Sequence, residues 1–341
     1  MKDKQEELFE EPSKKRRGPV PVEPVSPTPE HLELESQLPT HIRLGTSSWS
    51  FPGWENLVYK KKASERKLSR DGLRAYAQHP LLRAVGLDRT HYRPMSAEQF
   101  QEHAAQVDDD FRFLVKAHEY CTLLKFPTHP RYGQRRGLDN GLFLDADYAR
   151  EQVVQPAIEG LGDKLGTLLF QFAPQSTKTL GGPEVFIDRL HAFLRALPEL
   201  PGQASYSIEI RNREWLTENY RAALKDTKAC HCLNALPRMP RLADQWSAAG
   251  VSDGRQLIVR WMLNPRHDYA SAVESYEPFD ALVDEDKATR IEISQLVAHA
   301  AEVQQPVMVI VNNKAEGSSP LSVFRLAEQI AAELGGSSAP S

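Results

Sequence analysis

The sequence has few cysteines and no long apolar run, and both shortages exclude whole classes of protein. It contains three cysteines in 341 residues, a sparse and odd set that does not suit the disulfide framework of a small secreted protein. No stretch approaches the roughly 18 apolar residues that span a bilayer. The charged start of the chain has no apolar segment typical of a secretory signal. We therefore predict a cytoplasmic protein without a membrane partner.

The sequence also lacks a strong charge of one sign. Its formal net charge is −4, so no global basic field favours nucleic acid or an acidic membrane as the main partner. Hydrophobic residues make up 40% of the chain and charged residues 26%, which is typical of soluble globular proteins. The length allows one large domain or two ordinary ones with a sizeable core.

Familiar catalytic and cofactor motifs are missing as well. The chain contains no P-loop, GxSxG or HExxH motif, and we predict neither a cofactor nor a metal ion. In Cys230-His231-Cys232, alternation along a strand places the two thiols on one face and the imidazole on the other, which makes a poor metal site. Whether the protein is an enzyme stays open at this stage.

What is present begins with a polar segment. Residues 1–39 are rich in proline and charged residues and nearly lack aromatics, so they cannot bury enough apolar surface to offset their ordering entropy. We predict a disordered tail over 1–39, a single domain over 40–335 and a flexible end over 336–341. The Lys14–Arg17 cluster in the tail indicates either a solvated charged segment or a contact with nucleic acid.

Beyond the tail, apolar runs of strand length alternate with helical patterns about eight times. Near-continuous apolar strands are typical of a parallel sheet that is covered on both faces. Eight such units favour a TIM-type (β/α)8 barrel. The alternative is a doubly wound open sheet, which would require a GxGxxG loop after the first strand, where the chain instead has GTSSWSFPGW over 45–54.

Polar side chains follow almost every predicted strand. In a (β/α)8 barrel these positions meet at the carboxyl end, where the active site lies. The residues are Ser47 and Trp49 after the first strand, Asp88, Thr90 and Tyr92 after the second, Lys116 after the third, Gln171 at the fourth, Glu209, Arg211 and Trp215 at the fifth, Arg260 at the seventh, and Asn312 and Asn313 at the eighth.

This set suits a small anionic or polyhydroxylated ligand, because guanidinium groups bind carboxylate or phosphate and amides read hydroxyls. If the protein is an enzyme, we expect Glu209 to act as general base or acid with its pKa tuned toward neutral pH. Lys116 would share the catalytic work and, with Arg260, neutralise an anion, and Arg211 would orient Glu209. The structural alternative is that Glu209, Arg211 and Lys116 form ion pairs that close the barrel.

The remaining residues have assigned roles too. Gln171 and Asn312 would contact hydroxyls, and Trp49, Trp54 and Trp215 would form an apolar wall for stacking or, alternatively, pack in the barrel lid.

Four other hypotheses compete with a small-molecule site. A nucleic-acid module would use the basic tail and the loop arginines Arg131, Arg135 and Arg136. A hydrolytic serine, Ser47 or Ser48, would need His91 or His118 as its base.

A metal-dependent nuclease has too few candidate ligands, because only His91, His118, Asp88 and Glu209 lie near the predicted rim. The last alternative is a barrel retained for protein interaction without catalysis.

Six segments in order carry a family resemblance: GTSSWSFPGW at 45–54, THYRP at 90–94, FRFLVKA at 111–117, LLFQFAP at 168–174, IEIRNREW at 208–215 and VIVNN at 309–313. Together they resemble the domain of unknown function 72 (YecE-like) family, over about residues 42–334. The resemblance implies a TIM-type barrel like that of endonuclease IV and the sugar isomerases, without a settled activity. Gly86, Asp88 and Leu123 depart from the family pattern, which indicates a divergent member.

Overall fold

The computed structural model describes residues 21–175, 177–251 and 256–336. Eight parallel strands close into a barrel in sequence order, which confirms the predicted fold class. The first and last strands pair directly, from Ile42 opposite Val307 to Thr46 opposite Val311. The strands are β1 Ile42–Thr46, β2 Ala84–Leu87, β3 Arg112–Lys116, β4 Leu165–Phe172, β5 Ser205–Ile210, β6 Cys230–Ala235, β7 Leu257–Trp261 and β8 Val307–Val311.

Helices follow the strands and cover the outside of the barrel. The helices are α1 Pro29–Gln37, α2 Glu65–Asp71, α3 Leu73–Tyr76, α4 Ala97–Ala104, α5 Ala146–Ala149, α6 Gln155–Leu161, α7 Thr177–Leu180, α8 Pro183–Ala196, α9 Glu218–Thr227, α10 Leu242–Ala249, α11 Tyr269–Tyr276, α12 Lys287–Glu302 and α13 Ser319–Gly336. None of the helices described is both long and apolar enough to cross a bilayer. The helical segment that follows the β1 loop is divided at Gly72 into α2 and α3.

The barrel interior is filled by a small apolar cluster that determines where the polar residues lie. Its members are Ala84, Leu114, Leu169, Cys232, Ile258, Met308 and Ile310, all without measurable exposure. Residues two apart on a strand point to the same side. The next inward positions toward the carboxyl end are therefore Lys116, Gln171, Asn234, Arg260 and Asn312. A polar layer thus lies directly above an apolar one.

The predicted disordered tail is wrong for its second half. Within the predicted 1–39 segment, residues 1–20 lie outside the described part of the chain, but Pro29–Gln37 form α1, which begins at Thr28 as N-cap. Val22, Leu34 and Leu38 pack against the core, and the ring of His31 lies 4.5 Å from that of Phe324 on α13. A few apolar residues spaced along a polar segment are enough to dock it, which average composition does not reveal. The predicted flexible end, 336–341, lies outside the described residues except for Gly336.

The GTSSWSFPGW loop after β1 belongs to the core rather than to the mouth surface. Trp54 is fully buried and Trp49 nearly so, and the indole N–H of Trp49 donates to the Leu68 carbonyl at 3.0 Å. A side chain at Gly53 would collide with the carbonyl oxygen of Pro278. The loop is therefore rich in aromatics because it packs beneath neighbouring loops.

Candidate functional site

The carboxyl end of the barrel holds a buried ionic cluster around Glu209. Arg260 Nη1 donates to Glu209 Oε2 at 2.5 Å, and Arg211 Nε donates to Glu209 Oε1 at 2.9 Å. The Gln171 side-chain carbonyl accepts from both arginines, each at 3.0 Å. Gln171 is opposite Glu209 in the β4–β5 register, so the two strands fix this geometry. Four of the predicted site residues are therefore in direct contact.

The electrostatics of Glu209 differ from our expectation. Burial by itself would raise the pKa of its carboxyl group, but the guanidinium charges of Arg260 and Arg211 outweigh burial and lower the pKa to about 2. The expectation of a pKa tuned toward neutral pH is wrong, because each carboxylate oxygen faces a fixed cation. At neutral pH Glu209 is ionised and a weak proton acceptor, which suits it to holding the two arginines.

Asp88 extends the cluster toward solvent. Arg260 Nη2 lies 3.2 Å from Asp88 Oδ1, while the Asp88 side chain remains 32% exposed. Arg260 thus bridges a fully buried carboxylate and one at the rim. Despite the cost of burying its charge, these two carboxylates raise the pKa of Arg260 above its ordinary value, and the arginine is permanently charged.

Lys116 is the cation in this layer that has no bonded partner. Its side chain is 7% exposed, and its Nζ makes no hydrogen bond or ion pair with any residue that the structure describes. Burial, with help from the nearby cation of Arg260, lowers the pKa of Lys116 to about 8, although the charges of Asp88 and Glu209 oppose the shift. The lysine side chain is therefore buried along most of its length, with its ammonium group near two guanidinium groups.

The cluster carries an excess of positive charge. Three cations (Lys116, Arg211 and Arg260) face two carboxylates (Glu209 and Asp88), so the formal sum is 3 − 2 = +1. Such a concentration of charge in a partly dehydrated mouth attracts anions.

An open cleft continues from this cluster along the loops after β4, β5 and β6. Its volume is about 560 Å³. Arg211, Arg213 and Arg238 line it together with Glu214, and both Arg213 and Arg238 are exposed. Arg211 belongs to both places, because its guanidinium contacts Glu209 on one side and the cleft on the other. Lys116 and Arg260 do not line the cleft, so Arg211 is the link between the cleft and the cluster.

Several predicted ligand contacts instead hold the barrel together. Trp215 is fully buried and stacks on Phe186 with ring centroids 4.0 Å apart. With Trp49 and Trp54 also in the core, the predicted stacking wall is wrong. These side chains fill space between the barrel and its outer helices, which is where a large apolar ring gains most from burial.

The predicted hydroxyl and amide contacts are also largely satisfied within the protein. Thr90 Oγ1 lies 2.6 Å from the Lys116 carbonyl oxygen, and the Asn313 side-chain oxygen accepts from the Ser319 backbone N–H at 2.8 Å, at the start of α13. Asn312 Nδ2 donates to Ser47 Oγ at 2.7 Å, which joins the ends of β8 and β1. These bonds shape the mouth, and of the groups named only Asn313 Nδ2 has no hydrogen-bond partner among the described residues.

Tyr92 alone among the predicted aromatics is exposed, with 58% of its surface accessible. The guanidinium carbon of Arg131 lies 4.8 Å from the centre of its ring. Arg131 is itself held by the buried carboxylate of Glu119 at 2.5 Å. Tyr92 is therefore an accessible aromatic ring of the rim with a fixed cation above it.

The histidines near the rim do not complete a serine or metal site. Burial, and then the charge of Lys116, lowers the pKa of His91 to about 3, while burial lowers that of His118 to about 4. His118 Nδ1 pairs with the Tyr148 hydroxyl at 2.7 Å, and the hydrogen-bond partner of Ser47 Oγ is Asn312. Within residues 21–175, 177–251 and 256–336, no three His, Cys, Asp or Glu side chains form a metal-binding group.

Sequence reasoning missed two residues of the mouth. Asn234 is fully buried, with Nδ2 donating to the Ile210 carbonyl at 3.1 Å, and it stands opposite Arg260 in the β6–β7 register. The alternation from Cys232 to Asn234 is the signal that could have found it. Arg238 lies in a loop after β6, and no local pattern indicated that it faces Arg211.

Comparisons with known proteins agree with this architecture. A DUF72 family protein from Enterococcus faecalis V583 is 19% identical, with 86% of this chain and 95% of that chain covered and a TM-score of 0.53. A DUF72 family protein from Thermotoga maritima MSB8 is 18% identical, with coverages of 85% and 98% and a TM-score of 0.54. At these identities the likeness shows the fold alone.

Three further comparisons complete the picture. The structure of SacUVDE, at 10% identity with 85% of this chain and 99% of that chain covered, has a TM-score of 0.44, which is too low to support an argument about function. No curated protein sequence matches the chain. The family model DUF72, described as a protein of unknown function, matches residues 43–341, and the chain therefore belongs to the DUF72 family.

Proposed function

We propose that this DUF72 barrel binds a small ligand with an anionic group, such as a phosphorylated or carboxylated sugar-like compound, at the carboxyl ends of its strands. The observation that supports this most directly is Lys116, a buried lysine whose Nζ has no bonded partner among the residues that the structure describes. A buried charge is costly unless it is paired, and a bound anion supplies the missing partner.

The surrounding cluster determines what the site selects. Glu209 holds Arg260 and Arg211 in place, so these cations are fixed before a ligand arrives and little entropy is lost in ordering them. The side-chain carbonyl of Gln171 is occupied by the two arginines, and its amide N–H groups remain to donate to a ligand hydroxyl. The arginines of the open cleft can hold a second anionic group.

The experiment is a ligand screen by thermal shift. Inorganic phosphate, sugar phosphates and carboxylates should raise the melting temperature of the wild-type protein, because a ligand that binds only the native state stabilises it by about 2.7 kcal/mol at 100 times its Kd. Neutral sugars should have a smaller effect.

Lys116→Met should remove at least most of the shift produced by anions. Lys225→Met is the matched control, because Lys225 is an exposed lysine near the end of α9, at the opposite end of the barrel, and it should keep the wild-type response. If no anion stabilises the wild-type protein, or if both variants respond alike, the site is not an anion site.

The exposed Tyr92–Arg131 pair favours a second candidate function, which is single-stranded nucleic-acid binding at the rim. Bases stack on accessible aromatic rings, and arginine contributes to such stacking. Affinity for a short oligonucleotide should then fall steeply with salt, and Tyr92→Ala should weaken it while Lys116→Met leaves it largely unchanged. Binding that depends on Lys116 and not on Tyr92 would instead assign the oligonucleotide phosphate to the small-anion site.

A further inference from the structure

We propose that Lys116 is a carbonyl-reactive amine, and that the ligand class of the mouth is an aldehyde or ketone with an anionic group, which Lys116 binds covalently and reversibly as an imine. This inference rests on the proposed anion site and adds a chemical step to it. It uses the position of one side chain on β3 and the charges around it.

A comparison within the chain shows how unusual Lys116 is. Lys164, at the other end of the barrel, donates to the carbonyl oxygens of Ala104 and Val107 at 3.0 and 2.8 Å and pairs with Asp109 at 3.3 Å. Lys116 is more deeply buried and has no such partner among the described residues. Lys164 is a structural lysine with its protons fully used, whereas the Nζ of Lys116 has no donor role that fixes it.

Burial at the end of β3 favours the neutral amine of Lys116. Burial disfavours the charged form and lowers the pKa of Lys116 from 10.5 to about 8; the carboxylates of Asp88 and Glu209 oppose the shift, and the guanidinium groups of Arg260 and Arg211 add to it. Desolvation together with a neighbouring cation is a known way to make a lysine nucleophilic at neutral pH. The two guanidinium groups do not lose their protons near neutral pH, so they remain cationic while Lys116 exchanges its own.

The chemical step balances without a redox partner. The lone pair of neutral Nζ attacks the carbonyl carbon, a C–N bond forms, and the carbonyl π electrons move to oxygen, which takes up a proton. The resulting carbinolamine loses its hydroxyl group as water while nitrogen loses a proton, and a C=N bond remains. Protons and water exchange with solvent through the open mouth. Addition of water reverses the step and returns the carbonyl compound.

The surroundings also explain why the carbonyl compound should be anionic. A ligand phosphate or carboxylate can pair with Arg211 and with the exposed Arg213 and Arg238 of the open cleft, which places the rest of the molecule toward the barrel axis. Holding a carbonyl carbon beside Nζ in this way converts an encounter between two molecules into a local reaction. A neutral aldehyde lacks that anchor.

The test is reductive trapping. The full chain is incubated with glyceraldehyde 3-phosphate, dihydroxyacetone phosphate or pyruvate in the presence of sodium cyanoborohydride, and the modified lysine is located by peptide mass spectrometry. We expect the reduced adduct at Lys116, with about fiftyfold faster labelling at pH 8 than at pH 6, because the neutral fraction of an amine with a pKa of about 8 grows by that factor. Neutral glyceraldehyde should label Lys116 more slowly.

Lys116→Arg retains the positive charge but cannot form an imine, and it should show no labelling at this position. Lys225→Met should be labelled at Lys116 like the wild type. If Lys116→Arg does not fold, the position of the adduct in the wild-type protein, located by peptide mass spectrometry, is sufficient to test the inference. Adducts spread over exposed lysines with none enriched at Lys116 would overturn the inference.

The two proposals can be separated. If phosphate raises the melting temperature through Lys116 but no anionic carbonyl compound is trapped there, the anion site stands and the imine does not. If neither effect occurs, both proposals fail.

Discussion

Two glutamates of this barrel, Glu209 and Glu316, are both fully buried and each accepts a hydrogen bond from an arginine at 2.5 Å, yet their pKa values move in opposite directions. The pKa of Glu209 falls to about 2, although burial opposes the shift. The pKa of Glu316 rises, because the cost of burial exceeds the help from Arg290 and from hydrogen bonds.

The difference lies in how many cations each carboxylate faces. Glu209 has a guanidinium group on each oxygen, whereas Glu316 has Arg290 and the backbone N–H of Asp286, at 2.7 Å, on the same oxygen. One cation does not offset the loss of hydration in a protein interior, and two do. Two buried arginine–glutamate pairs can therefore differ in the pKa of the glutamate. The number of cations around the carboxylate decides the direction of the shift.

The two positions also differ in what they hold. The backbone carbonyl of Glu316 accepts from the N–H groups of Val283 and Asp284 at 2.8 and 3.2 Å. Glu316 therefore holds the loop that precedes α12. Glu209 lies at the end of β5 and organises the charges of the mouth. Glu316 therefore stabilises the position of a loop. Glu209 fixes the positions of the charges that we propose act on a ligand.

The largest effect should follow Glu209→Gln. Removing one partner of a buried ion pair leaves Arg260 without its closest carboxylate, and the free energy of unfolding should fall by about 3–5 kcal/mol. Urea denaturation at pH 7 measures this loss.

The pH dependence provides a second view of the same change. The pKa of Glu209 lies near 2 in the folded state against 4.5 for an ordinary glutamate, so between these values the unfolded state binds more protons. The stability that Glu209 contributes is present above pH 4.5 and lost as pH falls toward 2. The Gln variant should lack this component. A loss under about 1 kcal/mol at pH 7 would show that the arginines are satisfied without Glu209.

A smaller effect of opposite sign should follow Lys116→Met. The folded state holds Lys116 at a pKa of about 8 against an ordinary 10.5, so the unfolded state binds the proton more tightly, and the penalty is complete below pH 8. Removing the charge should stabilise the apo protein by about 2–3 kcal/mol at pH 7. The gain should shrink as pH rises from 8 to 10.5. Urea denaturation of the wild-type and Lys116→Met proteins from pH 7 to 10.5 measures the difference in their free energies of unfolding. A variant less stable than the wild type at pH 7 would contradict this prediction.

The smallest effect should follow Glu316→Gln, which sharpens the contrast with Glu209. Glutamine can still accept from the Asp286 N–H, and Arg290 keeps its contact with Glu285 at 3.0 Å. The free energy of unfolding should change by about 1 kcal/mol or less. A loss as large as that of Glu209→Gln would mean that the number of facing cations does not separate the two glutamates.

Much of the site's location could be predicted from the sequence. Side chains alternate between the two faces of a strand, and the closed barrel brings the carboxyl ends of the apolar runs together. Gln171, Glu209, Arg211 and Arg260 were predicted at one rim and are in direct contact there. Trp49 and Trp215 were predicted in the wrong environment, because a residue number after a strand does not say whether the loop turns inward over the axis or outward under a helix.

Sequence alone determined the alternation of eight apolar runs and helices, and with it a barrel whose carboxyl end is polar. Only the tertiary structure decided the charge state of each group there, since the pKa of Glu209 depends on two arginines from separate places and that of Lys116 on burial and on the same arginines. Local pattern follows from the backbone period of each element. Electrostatic energy depends on distance and on exclusion of water, which exist only once distant segments are packed together.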